Sequence, residues 1–300
     1  MRYKSLLITM LIFVVLVGGA FLFGMLAYYV LSPESTTPRL FGGGQIGLVK
    51  IDGGIYDPEE TVRELDKYRH DSDIKAVVVR IESPGGTVAG SQEIYNALLR
   101  LGDKKPVVAS MGTLAASGGY YVACGADKIL ANPGSITGSI GVRFDHLDVS
   151  KLMQWAKLDH QVLKSGKYKD IASPERALTP EERSILEQLL KNIHEQFKLA
   201  VATSRNFDEQ QIEKVADGRI FSGEEALALG LVDKLGDQYD AEMLAAELAG
   251  IKGEPDVVEK YKKQEGWMQR FFEASAEQMR GLVLQISQQM QEPLLLYWSH

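Results

Sequence analysis

The chain has 300 residues, enough for one sizeable domain or two small ones, and its 24% charged and 45% hydrophobic residues describe a folded globular protein, not a disordered one. A formal net charge of −7 excludes a general nucleic-acid binder, which needs a basic surface to meet phosphates. The single cysteine, Cys124, excludes an intrachain disulfide, and no Cys/His cluster has metal-ligand spacing, so no metal or other cofactor is expected.

Residues 6–31 are uncharged and largely apolar, and about 20 such residues in a helix cross a bilayer core. Arg2 and Lys4 precede this segment and Glu34 is the first charge after it, which orients residues 1–5 to the cytoplasm and the remainder outside an inner or plasma membrane. The rival is a cleaved signal peptide with Gly18-Gly19-Ala20 at the cut. The sequence continues Phe21-Leu22-Phe23-Gly24-Met25-Leu26, where a cleaved signal would turn polar, so a single-pass anchor is favoured. Residues 32–45 form a polar linker containing Pro33 and Pro38 and closing on Gly42-Gly43-Gly44.

From residue 46 short β-branched runs alternate with helical periods. Residues 46–51, 76–81 and 107–111 read as strands. Residues 59–68, 91–100 and 118–124 read as helices, the second with Ile94, Leu98 and Leu99 on one side. This alternation predicts a parallel sheet in an α/β domain over residues 46–250. Residues 180–204 form a longer helix, opened by the capping box Thr179/Glu182 with Pro180 at its first position, and Ile185, Leu189, Ile193, Phe197 and Val201 recur at four-residue spacing, as one buried face requires. Ser222 and Glu225 start a short helix that Gly230 ends. Residues 251–300 are rich in Glu, Lys and Gln around Trp267, Phe271 and Phe272. They suit an amphipathic helix over a partner, a membrane surface or the protein's own cleft, or equally a peripheral tail. Cys124 lies in an apolar run and reads as a small packing residue.

Two loops carry chemistry. The strand at 107–111 leads through Gly112-Thr113-Leu114-Ala115-Ala116-Ser117-Gly118-Gly119 into an apolar helix. A serine at that helix start is either a nucleophile with the Gly118 N–H placed to receive an oxyanion, or simply the N-cap. After the strand at 76–81 come Ser83-Pro84-Gly85-Gly86, whose paired glycines present bare backbone N–H groups at a second helix start, or form a turn chosen for its dihedrals alone. In an open α/β sheet the two loops fall side by side, where ligands bind. Ser117 needs a base. Among five histidines only His146, 29 residues on, is a serious candidate; His70 and His194 read as exposed or structural. Lys164, Lys167 and Lys169 cluster nearby, but only about one lysine in 2,500 is neutral at pH 7, so a lysine base must be buried or set beside another cation. Spacing does not choose among them.

These residues resemble the signal peptide peptidase A (SppA) family of Ser/Lys serine peptidases, peptidase family S49. The match runs from about residue 46 to 236 and rests on motifs in order: Ser83-Pro84-Gly85-Gly86, Met111-Gly112, Ala115-Ala116-Ser117-Gly118-Gly119-Tyr120-Tyr121, Ala126-Asp127-Lys128-Ile129, Thr137-Gly138-Ser139-Ile140-Gly141-Val142, Lys164-Ser165-Gly166, Lys169-Asp170 and Ala216-Asp217-Gly218-Arg219. The resemblance implies Ser117 as nucleophile, Lys169 as general base, Ser139 as the hydroxyl that orients the lysine, and an oxyanion hole from Gly118 with Gly86 or Gly85. It also implies the crotonase/Clp-protease-like spiral of ββα units, a half-length form assembling as a ring, and remnant signal peptides or other apolar peptides as substrates. Two rivals are a Clp-like Ser/His/Asp peptidase using His146 and a crotonase-like acyl-CoA enzyme; a third is a non-catalytic scaffold on the same fold.

Overall fold

β-branched residues in long uninterrupted runs form the centre of the molecule, as strands buried on both faces require. A computed structural model describes residues 44–259. The expected anchor at 6–31, nearly all of the linker and the tail beyond 259 lie outside the described residues. Among the described residues no helix is long and apolar enough to cross a membrane.

Strands β1 (Gln45–Asp52), β2 (Ile74–Ser83) and β3 (Val107–Ala116) pair in parallel, and each runs past the segment that its apolar residues predict. Their crossovers carry α1 (Glu59–His70) and α2 (Val88–Gly102). Short strands complete a sheet of eight: β4 (Lys128–Ala131), β5 (Ile136–Gly138), β6 (Ile220–Ser222), β7 (Lys234–Leu235) and β8 (Asp256–Val258). The order is β6-β5-β3-β2-β1-β8, with β4 branching from β3 and carrying β7; among the described strands only β5 and β6 pair antiparallel.

The two-residue period of the strands sorts side chains between two layers. Val77, Val79 and Ile81 face Leu65 and Tyr68 of α1, Ile94 and Leu98 of α2, and Tyr120. Ala76 and Val78, with Ile46, Leu48, Val108 and Leu130, face Ala241, Ala245 and Ala246 of a helix at Gln238–Leu248. Each large apolar side chain buried this way contributes roughly 1.5–3 kcal/mol.

Two predicted faces need correction. Leu99 is 44% exposed, because it lies about 100° round the helix from Leu98; Ala97 and Leu101 complete the buried side instead. The helix at Pro180–Arg205 carries the expected capping box and proline, but its fully buried apolar side chains, Phe197, Ala200 and Val201, all lie in its second half. Ile185 and Leu189 are 37% and 53% exposed. At 26 residues this helix is about 39 Å long and outruns the layer it packs on, reaching it where Phe197 meets Tyr121 at 4.7 Å between ring centroids.

In chain order the remaining helices make the set α3 (Gly118–Ala123), α4 (Ser150–Trp155), α5 (the long helix just described), α6 (Glu209–Val215), α7 (Gly223–Ala228) and α8 (the alanine-faced helix). The Ser222/Glu225 box starts α7, and Gly230 follows its end at φ +76°. Cys124 closes α3 fully buried, and burial pushes its thiol up to about 12.

Candidate active site

Strand β3 changes neighbours along one edge. Val108–Met111 pair with β4, whereas Leu114–Ala116 pair with β5, and the strand ends where the Ser117 N–H donates to the Gly138 carbonyl at 2.8 Å. Ser117 then turns the chain into α3 with φ 53° and ψ −120°, a conformation costing a non-glycine residue roughly 1–3 kcal/mol. Its side chain makes no capping hydrogen bond. The hydroxyl is partly exposed and engages no other described residue, so the N-cap reading fails.

The second loop arrives by a different pairing. Ile55 forms a parallel bridge opposite Gly86: its N–H donates to the Gly85 carbonyl at 2.9 Å and its carbonyl accepts the Thr87 N–H at 2.8 Å. In such a bridge the opposed residue's own N–H points the other way. That direction is toward α3: a Cβ built on Gly118 would lie 3.2 Å from both the Gly86 nitrogen and the Gly85 Cα. Gly85, at φ +97°, comes closer still, its hypothetical Cβ falling 2.6 Å from the Gly118 nitrogen and 3.0 Å from the Ser117 Cβ. Only glycine permits this approach. The Gly85 N–H donates to Ser83 Oγ at 3.1 Å, whereas the N–H groups of Gly86 and Gly118 have no acceptor among the described residues. Two donors without an acceptor among the described residues thus lie on loops that touch next to Ser117, and of the two expected glycines Gly86 is the one left available.

Ser139 follows Gly138, both at positive φ (54° and 80°), and its N–H donates to the Arg219 carbonyl at 2.8 Å. Because Ser117 is hydrogen-bonded to Gly138, the two serines sit one residue apart across the β3/β5 junction. Lys169 is different. It is exposed, its N–H donates to the Gly166 carbonyl, and its amine makes no hydrogen bond or ion pair with Ser117, Ser139 or any other described residue. The next residue is firmly held: Asp170 accepts Lys164 Nζ at 2.5 Å and Arg176 at 3.0 Å, and Arg176 forks onto Glu182 at 2.5 and 2.7 Å. Hydrogen bonds from Arg176 and Lys164 hold the Asp170 carboxyl well below the usual range. Those from Arg176 and the Thr179 N–H lower Glu182 to about 2. His146 has a buried Nε2 with no partner among the described residues, while His70 and His194 bond to the Asp66 and Ile140 carbonyls.

Sequence pattern does not flag Glu82, Ser91 or Arg176. Ser91 Oγ packs over Gly118, 2.3 Å from where its Cβ would be, and donates to the Thr87 carbonyl. Glu82 and Arg176 act on partners that only the fold supplies, although Arg176 and Glu182 lie six residues apart around a visible capping box.

The model of "Peptidase family S49" matches residues 100–252, about half the chain. The chain belongs to peptidase family S49. A putative protease of Synechocystis sp. is 45% identical over 216 residues, 72% of this chain and 77% of that protein. One of Methanocaldococcus jannaschii is 35% identical over 271 residues, 85% and 86% of the two chains. A putative signal peptide peptidase SppA of Enterococcus faecium is 35% identical over 189 residues, 62% and 54%. This S49 chain is a serine-type peptidase of the SppA family, which sets aside the acyl-CoA enzyme and the scaffold.

Proposed function

We propose that this peptidase is a membrane-anchored endopeptidase that cuts remnant signal peptides and other apolar peptides with Ser117 and Lys169. The observation that carries the reading is the close approach of the Gly85-Gly86 loop to Gly118, next to a serine hydroxyl not engaged as a cap. Ser117 Oγ attacks the scissile carbonyl, and its proton passes to the Lys169 amine. The two N–H groups take up the charge on the carbonyl oxygen, where one such donor is worth about 10²–10³ in rate. Lys169 returns the proton to the leaving amine, and water resolves the acyl-enzyme. Ser139, one residue from the backbone partner of Ser117, orients the amine. The alternation of short parallel strands with helices supports the spiral of ββα units.

Residues 6–31 anchor the chain in an inner or plasma membrane with the peptidase domain on the extracytoplasmic side. The printed name of the Enterococcus relative supports the substrate class. Several copies close into a ring, and a neighbouring copy covers the Lys169 segment, giving the amine the desolvation that a neutral base needs. Exposed apolar side chains support this: Trp155 and Leu163 are 81% and 100% exposed, and Leu147, Leu158 and Leu189 are exposed too.

The buried, unpartnered Nε2 favours one second reading, His146 as base. The test is turnover of a fluorogenic apolar peptide by the full chain in detergent micelles. Lys169→Ala is expected to lose at least about 10³-fold in kcat, while His146→Ala stays close to the unsubstituted enzyme. The reverse pattern moves the base to His146.

A further inference from the structure

The β2/β3 ladder breaks just before the site. Ile81 pairs with Met111, but the next pair is Ser83 with Ala115, so three residues of β3, Gly112 to Leu114, stand opposite the single residue Glu82. A bulge of this size leaves backbone groups without ladder partners and bends the strand. Here side chains supply the partners. Glu82 Oε2 accepts the Thr113 N–H at 2.9 Å and Oε1 accepts the Leu114 N–H at 3.0 Å. Ser135 Oγ donates to the Gly112 carbonyl at 2.5 Å, and Arg80 donates to the Met111 carbonyl at 3.3 Å and to Ser110 Oγ at 3.0 Å, with its guanidinium 4.0 Å from Glu82 Oε2. The carboxylate lies so close to the strand that a Cβ on Gly112 would be 1.7 Å from Oε2.

Leu114, which Glu82 holds, is the first residue of β3 to pair with β5, and three residues later the chain reaches Ser117. Glu82 itself begins the run Glu82-Ser83-Pro84-Gly85-Gly86, and its carbonyl accepts the Gly53 N–H at 2.9 Å. One residue therefore belongs by its backbone to the loop that presents the Gly86 N–H, and by its side chain to the strand that presents Ser117.

We propose that Glu82 is a positioning residue that sets the separation between the Ser117 hydroxyl and the Gly86 and Gly118 N–H groups. It touches neither substrate nor reacting atoms. Both carboxylate oxygens are needed, because the two strand N–H groups are adjacent and each takes one oxygen; a charged acceptor strengthens both bonds. The proposal rests on Ser117 and the glycine N–H pair being the catalytic centre.

The experiment measures three quantities on the full chain in micelles: the fraction of Ser117 labelled by a fluorophosphonate at completion, the rate of that labelling, and peptide turnover per labelled site. Glu82→Gln keeps the volume but turns one acceptor into a donor facing an N–H. Expected is an unchanged labelled fraction, a labelling rate and kcat per labelled site lower by about 10- to 100-fold, and KM within about twofold. Glu82→Asp, which keeps the charge and draws the oxygens back by one methylene, falls between. A purely structural role would lower the labelled fraction and leave the rate per labelled site alone, and that result overturns the proposal, as does a Glu82→Gln enzyme at full rate. Absence of label on Ser117 in the unsubstituted enzyme overturns the site assignment itself, and the role of Glu82 with it.

Discussion

Ser117 and Lys169 lie in parts of the molecule built on different principles. Around Ser117 the neighbours are fixed by backbone pairing and close packing: β3 on β5, Ile55 against Gly86, and Gly85 pressed on Gly118 with no room for a methyl group. The positive φ of Ser117 is sustained because the sheet over-determines it. Around Lys169 no strand runs at all. Residues 139–179 hold one short helix, α4, and the segment is moored to α5 by the charges of Asp170, Arg176 and Glu182. The contrast teaches that one chain holds the proposed nucleophile and the proposed oxyanion donors in place, whereas it leaves the proposed base solvated, on a segment tied to α5 through its neighbours: Lys167 and Tyr168 to Glu181, and Asp170 through Arg176 to Glu182.

The largest expected effect lies on the rigid side. Gly85→Ala forces a Cβ to within 2.6 Å of the Gly118 nitrogen at a φ that L-residues rarely adopt, so kcat should fall by at least about 100-fold. Peptide kinetics on the folded variant check it; near-normal turnover would mean that the loops do not need this contact, and the claimed rigidity would be wrong. On the moored side, Arg176→Met leaves Asp170 and Glu182 without their fork. We expect turnover to drop about 10-fold and proteolytic nicking within 141–179 to accelerate, while the midpoint of global unfolding stays in place.

The same mooring has a pH signature. Asp170 and Glu182 both titrate below their unfolded values, so their contribution to holding the segment is complete above an unfolded pKa of about 4 and is lost as pH falls toward the folded values, about 2 for Glu182. Amide exchange across 141–179, corrected for its intrinsic pH dependence, should rise on acidification from pH 5 to 3 before exchange in β1 to β3 does. Simultaneous loss would merge the two regions into one cooperative unit. The smallest effect tests the layer beneath Ser117. Tyr120→Phe removes the hydroxyl that donates to the Leu231 carbonyl at 2.8 Å, and should cost about 1–3 kcal/mol in denaturant unfolding with little change in turnover.

Much of this was readable from residue order. The long β-branched runs located β1, β2 and the first half of β3, and two capping boxes located the starts of α5 and α7. Ser117 and the paired glycines stood out because a serine and bare N–H groups at helix starts are local features. Strands of two to four residues, such as β4 and β7, are too short to show a period, and pairing partners far along the chain define them. Asp208/Gln211 and Asp237/Asp240 are capping boxes as plain as the two that were read, and they start α6 and α8. The Glu82 brace joins residues 31 and 32 positions apart, and nothing near Glu82 in the chain announces it. Four-residue apolar spacing along α5 predicts one buried face but does not show where the core ends, so Ile185 and Leu189 depart from it and are exposed.

Cys124 gives the experimenter an opening. It is the sole cysteine of the sequence, sealed at the end of α3, and burial pushes its thiol up to about 12, so the reactive thiolate is disfavoured at neutral pH. Alkylating reagents will pass it by, so the natural chain already serves as a cysteine-silent background. Lys169→Cys followed by bromoethylamine would rebuild a lysine-length amine at one chosen position, and any turnover that returned could be ascribed to that amine alone.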